Sequence, residues 1–297
     1  MSEIESLSIF TGLWQSRFIG RTGDAYAPDI NITLLEFFME QLSHTLSTDS
    51  FSCLTGLQLS LPCTHDFLVL GKALPESLLL RIKRLFLAVM DATGPGGSRQ
   101  YTRWTDAHGD GDTRYPLSNL QQRYPNREYT YAMFDIAARC QNLEILGLEC
   151  SHRLDCDLLS LSTSKLSSLY LQRMTASVSK LIELLSPSTL SRLWIEGIEL
   201  TSGTWAEVFI HLQNCEKLEY LNPSNCSYAR GGSSIHLRAW NGRLWEDTTN
   251  LWSIHAPDES TLVNLVERLT EKAGGRENYP DLNMEQSVLP WIDDTDR

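Results

Sequence analysis

Apolar residues along the chain recur in a short pattern, leucine-x-x-leucine-x-leucine, at Leu143/Leu146/Leu148, Leu166/Leu169/Leu171 and Leu190/Leu193/Ile195. A partial fourth copy is Leu218/Leu221, and earlier copies stand at Ile4/Leu7/Ile9, Leu54/Leu57/Leu59 and Ile82/Leu85/Leu87. The four later copies start 23, 24 and 28 residues apart, a spacing that makes each the strand of one repeating unit. Between strands the apolar period changes from two to 3.6. Leu35/Phe38/Met39/Leu42, Met133/Ile136/Ala137/Cys140, Val178/Leu181/Ile182/Leu185 and Trp205/Val208/Phe209/Leu212 each fall at i, i+3, i+4, i+7, so each predicts a helix with one apolar stripe. A second self-match joins helix end to strand start: Cys140 to Leu146 agrees with Cys215 to Leu221 at four of seven positions. A small thiol suits such a turn, which gives Cys140 and Cys215 a packing role.

Strands alternating with helices at this spacing predict an α/β chain, a leucine-rich-repeat-like solenoid forming an irregular horseshoe. Its parallel sheet would be concave and its helices convex. The 297 residues read as one such domain. Residues 93–128 are polar and rich in turn formers and predict an inserted loop at one edge. Residues 229–275, with Trp240, Trp245 and Trp252 and a helix from about Glu259 to Lys272, predict a C-terminal cap over the open end of the solenoid, and 276–297 predict a partly disordered tail. The residue nine places into each repeat, where asparagine or cysteine would support the turn, has that identity only at Cys226, so the curvature should be irregular.

Composition narrows the class. A hydrophobic fraction of 42% is ample for a large core, and a net charge of -12 disfavours a nucleic-acid partner, which needs clustered Lys and Arg. The stretch from Met1 to Glu5 lacks the basic and apolar regions of a leader, and the longest apolar run, Leu85 to Met90, is too short for a bilayer. No membrane partner is therefore expected, and the cytoplasm or nucleus is the expected compartment. The seven cysteines (Cys53, Cys63, Cys140, Cys150, Cys156, Cys215 and Cys226) are odd in number and scattered, as reduced thiols would be.

Motifs with chemical potential are incomplete. Asp106, His108, Asp110 and Asp112 alternate like the start of a calcium loop, yet the closing glutamate position holds Leu117. Gly94 to Arg99 lacks the lysine and hydroxyl that end a phosphate loop, and Pro95 interrupts its N–H donors. Cys150, His152 and Cys156 offer three zinc ligands without a fourth. No metal, no cofactor and no enzymatic activity are expected. An enzyme reading would rest only on the polar loop around His108, used as a lid.

Repeats of this kind act through the strand side chains that point away from the leucines. These are Arg84, Phe86 and Ala88; Ile145, Gly147 and Glu149; Ser168, Tyr170 and Gln172; Arg192, Trp194 and Glu196; Tyr220 and Asn222. Aromatic and arginine side chains anchor protein interfaces, so a protein partner is expected on the concave face at Arg84, Phe86, Tyr170, Gln172, Arg192, Trp194, Glu196 and Tyr220. Tyr170, Trp194 and Tyr220 should form an aromatic column with Arg192 and Glu196 beside it.

Four segments carry a resemblance: Thr93 to Trp104, Ser118 to Asn126, the repeats from Leu143 to Leu171, and Gly203 to Phe209. With them the chain resembles the fungal F-box proteins with leucine-rich repeats, substrate receptors of cullin-based ubiquitin ligases. The resemblance implies a substrate-recognition module with a Skp-type adaptor and a cullin as further partners. The F-box itself is not recognisable: Leu74 to Ile82 opens like one but runs straight into the Ile82/Leu85/Leu87 strand. That departure leaves two expectations, a receptor whose N-terminal part lies outside this sequence, or a repeat scaffold with no link to ubiquitin.

Overall fold

A computed structural model describes residues 5–10, 31–48, 51, 53–89, 119–161, 165–186, 188–229, 231, 233–236 and 250–275. Its contacts separate two compact units. The first draws on residues up to Asn142 with Glu149–Leu154 and Leu158–Leu161; the second draws on Leu143–Leu148, Asp155–Asp157 and the residues from 162 onward. Both are α/β with mostly parallel strands. Residues 93–118 of the loop predicted over 93–128, Trp240 and Trp245 of the predicted cap, and the tail from 276 lie outside the described residues.

In the first unit β1 (Ser6–Phe10), β2 (Gly56–Leu61) and β3 (Arg84–Val89) pair in parallel, with Leu7, Leu57 and Leu85 in one register row and Ile9, Leu59 and Leu87 in another. The helices are α1 (Ile32–Leu46), α2 (Thr64–Ala73), α3 (Glu76–Leu79), α4 (Asn119–Arg123) and α5 (Asn126–Arg139), with α2 packed between α1 and α5. The pattern leucines Leu54, Leu57, Leu59, Ile82, Leu85 and Leu87 are fully buried, each such side chain contributing about 1.5–3 kcal/mol. Leu74 to Ile82 holds the short α3 before β3 begins at Arg84.

Two differences from the sequence reading arise here. Helix α2 has no counterpart among the predicted stripes, although Phe67, Leu70, Gly71 and Leu74 are buried at helical spacing. Its N-cap is Cys63, with Asp66 accepting from the Cys63 N–H at 3.2 Å and S–H at 3.4 Å, an unusual capping box that no Ser or Thr advertises. The loop predicted over 93–128 is corrected at its end, where 119–123 and 126–128 are helical. Two polar residues there, Gln121 and Asn126, are buried partners rather than solvated ones. Asn126 Oδ1 accepts from the Thr64 N–H at 2.9 Å, Gln121 Oε1 accepts from the Asn126 N–H at 3.0 Å, and Thr64 and Thr130 donate to the Asn126 carbonyl. Arg139 at the end of α5 ties down α2 by donating to the carbonyls of Gly71 at 2.6 Å and Leu74 at 3.3 Å.

Desolvation pushes the Asp66 carboxyl up to about 6 against an ordinary 3.8, and the two Cys63 hydrogen bonds oppose that rise. A carboxyl whose folded value lies above its unfolded one binds its proton more tightly in the native state, so its charge penalises folding as pH rises through 4 to 6 and fully above that. The stability advantage of Asp66→Asn over wild type should therefore grow by on the order of 2–3 kcal/mol from about pH 4 to about pH 7. Urea unfolding at both pH values checks this, and a pH-independent difference would sink it.

Strand β4 (Ile145–Asp155) contributes residues to both units. In the second unit β5 (Ser168–Ser177), β6 (Arg192–Glu196) and β8 (Tyr220–Ser224) pair in parallel, and β7 (Glu199–Ser202) and β9 (Ser227–Tyr228) extend the ladder from the far end of β5. Helices α6 (Val178–Leu184), α7 (Trp205–Gln213) and α8 (Pro257–Lys272) accompany them, with an antiparallel pair β10 (Ser233–His236) and β11 (Asn250–Ser253). The helix expected from Glu259 starts at Pro257, an N-terminal position where its missing N–H costs nothing.

The backbone repeats along with the leucines. One carbonyl at each strand start receives two N–H groups from the next strand: Glu5 and Thr55 do so in the first unit, and Glu144, Ser167 and Ser191 in the second. Cys140 and Cys215 both donate three residues back, to Ala137 at 3.2 Å and Leu212 at 3.1 Å, so the matched segments share one turn. Arg173, Gly197 and Asn225 follow register-paired residues at the ends of their rows, and all three have positive φ, 57°, 62° and 52°. Cys226 donates its thiol to the carbonyls of Ile195 and Ser224, each at 3.6 Å.

Candidate interface on the second unit

The sheet face opposite the buried leucines is built from alternate residues of β5, β6 and β8. Its register rows are Ser168–Arg192–Tyr220, Tyr170–Trp194–Asn222 and Gln172–Glu196–Ser224. Tyr170 meets Trp194 edge to face with ring centres 6.4 Å apart, and Trp194 meets Tyr220 at 6.1 Å with a 38° tilt. The predicted column is thus continuous but diagonal, because Tyr220 lies one row from Trp194 and Asn222 takes the place directly beside the indole. Asn222 Nδ2 donates to the Tyr220 hydroxyl oxygen at 3.4 Å.

The expectation of an open recognition surface needs correction in one respect. Tyr170 is 0%, Gln172 2%, Trp194 8%, Tyr220 5% and Asn222 4% exposed, while Arg192 is exposed and Glu196 half-buried. A solvent-accessible edge remains only at the charged members. In consequence three side-chain atoms, Trp194 Nε1, Gln172 Oε1 and Asn222 Oδ1, are shut away from water without a hydrogen-bond partner among the described residues. Leaving such an atom unsatisfied costs about 1–3 kcal/mol, and native structures rarely tolerate several together. Position within the strand fixed which way these residues point, so all three were in the predicted rows; their withdrawal from solvent was not readable from spacing.

Arg84 and Phe86 belong to the first unit. Arg84 pairs in register with Gly56 and donates to the Ser6 hydroxyl at 2.8 Å; a Cβ on Gly56 would stand 2.8 Å from that hydroxyl and 3.4 Å from the guanidinium. Phe86 is buried beside Gln58, so it too is withdrawn rather than presented.

The cysteines offer little chemistry. None of the seven is in a disulfide, and burial pushes the thiols of Cys140, Cys156 and Cys226 up to about 12, far from the thiolate that a nucleophile or zinc ligand requires. Among the described residues no three His, Cys, Asp or Glu side chains gather as a metal site, and no helix is long and apolar enough to cross a membrane.

No protein-family model matches the chain, and no curated protein matches it.

Proposed function

We propose that the chain is a leucine-rich-repeat-like protein-interaction module, similar to the substrate-recognition region of an F-box ubiquitin-ligase receptor. It holds a polypeptide on the β5–β6–β8 face without turnover. The observation that supports this reading is the set of buried, unpartnered atoms: the indole N–H of Trp194 is a donor, and the amide oxygens of Gln172 and Asn222 are acceptors. A peptide group carries the complement, one C=O and one N–H, at spacings a strand-like segment repeats. Exposed Arg192 and half-buried Glu196 supply charge selectivity at the edge. Since the face is withdrawn from solvent, a partner engages it only with rearrangement, and association should be slower than the roughly 10⁵–10⁷ M⁻¹s⁻¹ usual for preformed surfaces.

Capture on the tagged chain, followed by titration of each purified partner, tests the reading. Trp194→Phe keeps an aromatic ring and deletes the N–H donor, and it should weaken the partner bound there roughly tenfold, the value of one buried hydrogen bond. Unchanged affinity for every partner would remove this face from consideration. Recombinant Skp-type adaptor, titrated separately, separates the ligase receptor from the plain repeat scaffold: binding supports the first, and defined partners without it support the second.

A further inference from the structure

Within the first unit a cleft of about 310 Å³ lies against α1 and α2. That is the lower end of the range for small-molecule sites, about 300–1,000 Å³. Its floor is formed by the buried side chains of Leu35 and Met39 from α1 and Asp66 from the first turn of α2, and its exposed rim carries Glu36 and Glu40 on α1 and Lys72 on α2. The cleft is therefore apolar in depth, with a carboxyl group at the bottom and carboxylates outnumbering ammonium groups around it.

Of the remaining polar neighbours, Ser43 on α1 carries a buried hydroxyl with no partner among the described residues, whereas His65 and Tyr124 are committed. His65 stacks on Tyr124 with ring centres 3.9 Å apart and meets Tyr129 edge-on at 5.0 Å; Tyr124 donates its hydroxyl to Glu36. Burial holds the His65 imidazole below its ordinary value, so it is neutral at pH 7 and brings no positive charge to Asp66. Asp66 accepts only from the neutral N–H and S–H of Cys63 and makes no ion pair among the described residues. A carboxylate on an apolar floor lacking a cation is costly, and a cationic ligand would remove that cost. A hard metal ion is disfavoured, because it needs six or more oxygen ligands and no ligating cluster is present among the described residues. An anion would meet the three carboxyl groups of Asp66, Glu36 and Glu40 against two cations, Lys72 on the lining and Arg123 beside Tyr124 and Glu36.

We propose that this cleft binds an organic cation, an amine carried on an apolar body, with the body on Leu35 and Met39 and the ammonium hydrogen-bonded to Asp66. The site is independent of the sheet face on the second unit. Calorimetric titration of the full chain at neutral pH with 4-phenylbutylamine, 4-phenylbutanol and 4-phenylbutanoate tests it. The amine should bind at least about tenfold more tightly than the isosteric alcohol, and the carboxylate should be weakest, as a charge-assisted hydrogen bond requires. Asp66→Asn retains an acceptor for Cys63 and should erase the preference for amine over alcohol, while Glu40→Gln at the rim should reduce it about two- to threefold. The wild-type preference is a ratio that no folding defect in a variant affects. Equal binding of the three probes, no binding of the amine, or an amine preference that survives in a folded Asp66→Asn chain would each overturn the proposal.

Discussion

Replacing Asp258 with alanine should lower the stability of the second unit by roughly 3–5 kcal/mol, the loss typical of removing one member of a buried charged hydrogen-bond network. Asp258 stands in the first turn of α8 and is fully buried. Its Oδ1 accepts the Ala206 N–H at 2.8 Å, and its Oδ2 accepts the Tyr228 hydroxyl at 2.6 Å and the Ser253 hydroxyl at 2.5 Å. Tyr228 in turn accepts the Trp205 N–H at 2.9 Å, while Thr204 Oγ1 accepts the Glu207 N–H at 3.2 Å. The three N–H groups that open α7 are thus satisfied one each by Tyr228, Asp258 and Thr204, two of them by side chains remote in sequence. Alanine at 258 would leave the Ala206 N–H and the Tyr228 hydroxyl without their acceptor, while the Ser253 hydroxyl keeps the His255 carbonyl at 2.9 Å. Tyr228→Phe removes a smaller share and should cost about 1–2 kcal/mol. The double variant should be less than additive, since both changes break one network. Urea midpoints of the four proteins decide the matter; a loss below about 1 kcal/mol for Asp258→Ala would mean that water replaces the carboxylate.

That network shows where sequence reading stops. The leucine pattern located every strand it was applied to among the described residues, and the residues pointing away from it fall in the expected rows, because a period of two leaves one choice of face. Asp258 and Tyr228, 30 residues apart, carry no local signal that they meet. Helix α2 went unseen for a related reason: its cap is a cysteine, and its first turn, Thr64-His65-Asp66, looks like a polar loop until Thr64 is found bonded to Asn126, 62 residues on. The left-handed turn after each row is shared by Arg173, Gly197 and Asn225. Only glycine and asparagine announce such a conformation, so the arginine copy hides the repeat. Spacing fixed the direction of Tyr170, Trp194 and Tyr220, but direction is not exposure, and exposure depends on contacts distant in sequence. The same gap applies to α1, whose predicted stripe includes Phe38. Leu35 and Met39 are buried as expected, yet Phe38 is 39% exposed and Leu34 and Phe37 more so.

Gly203→Ala should cost about 2–4 kcal/mol, and the two parts of that loss can be separated. Gly203 precedes the N-cap of α7 with φ of 73°, a conformation that penalises an L side chain by roughly 1–2 kcal/mol. A Cβ built there would lie 2.5 Å from Val178 Cγ2 and 2.6 Å from Val178 Cβ. Val178 is the first residue of α6, and its Cβ is fixed by the backbone, so the overlap is relieved only by moving one helix start from the other. Asparagine accepts positive φ more readily than alanine but places its Cβ in the same spot. If strain in φ dominates, Gly203→Asn should recover much of the loss in urea unfolding; if the Val178 overlap dominates, as the two sub-3 Å contacts indicate, asparagine should be no better than alanine. The overlap also displaces Thr204, and with it the turn in which Tyr228 and Asp258 satisfy α7. Gly203→Ala combined with Asp258→Ala should therefore lose less stability than the two singly, whereas strict additivity would separate the close packing at Gly203 from the buried network.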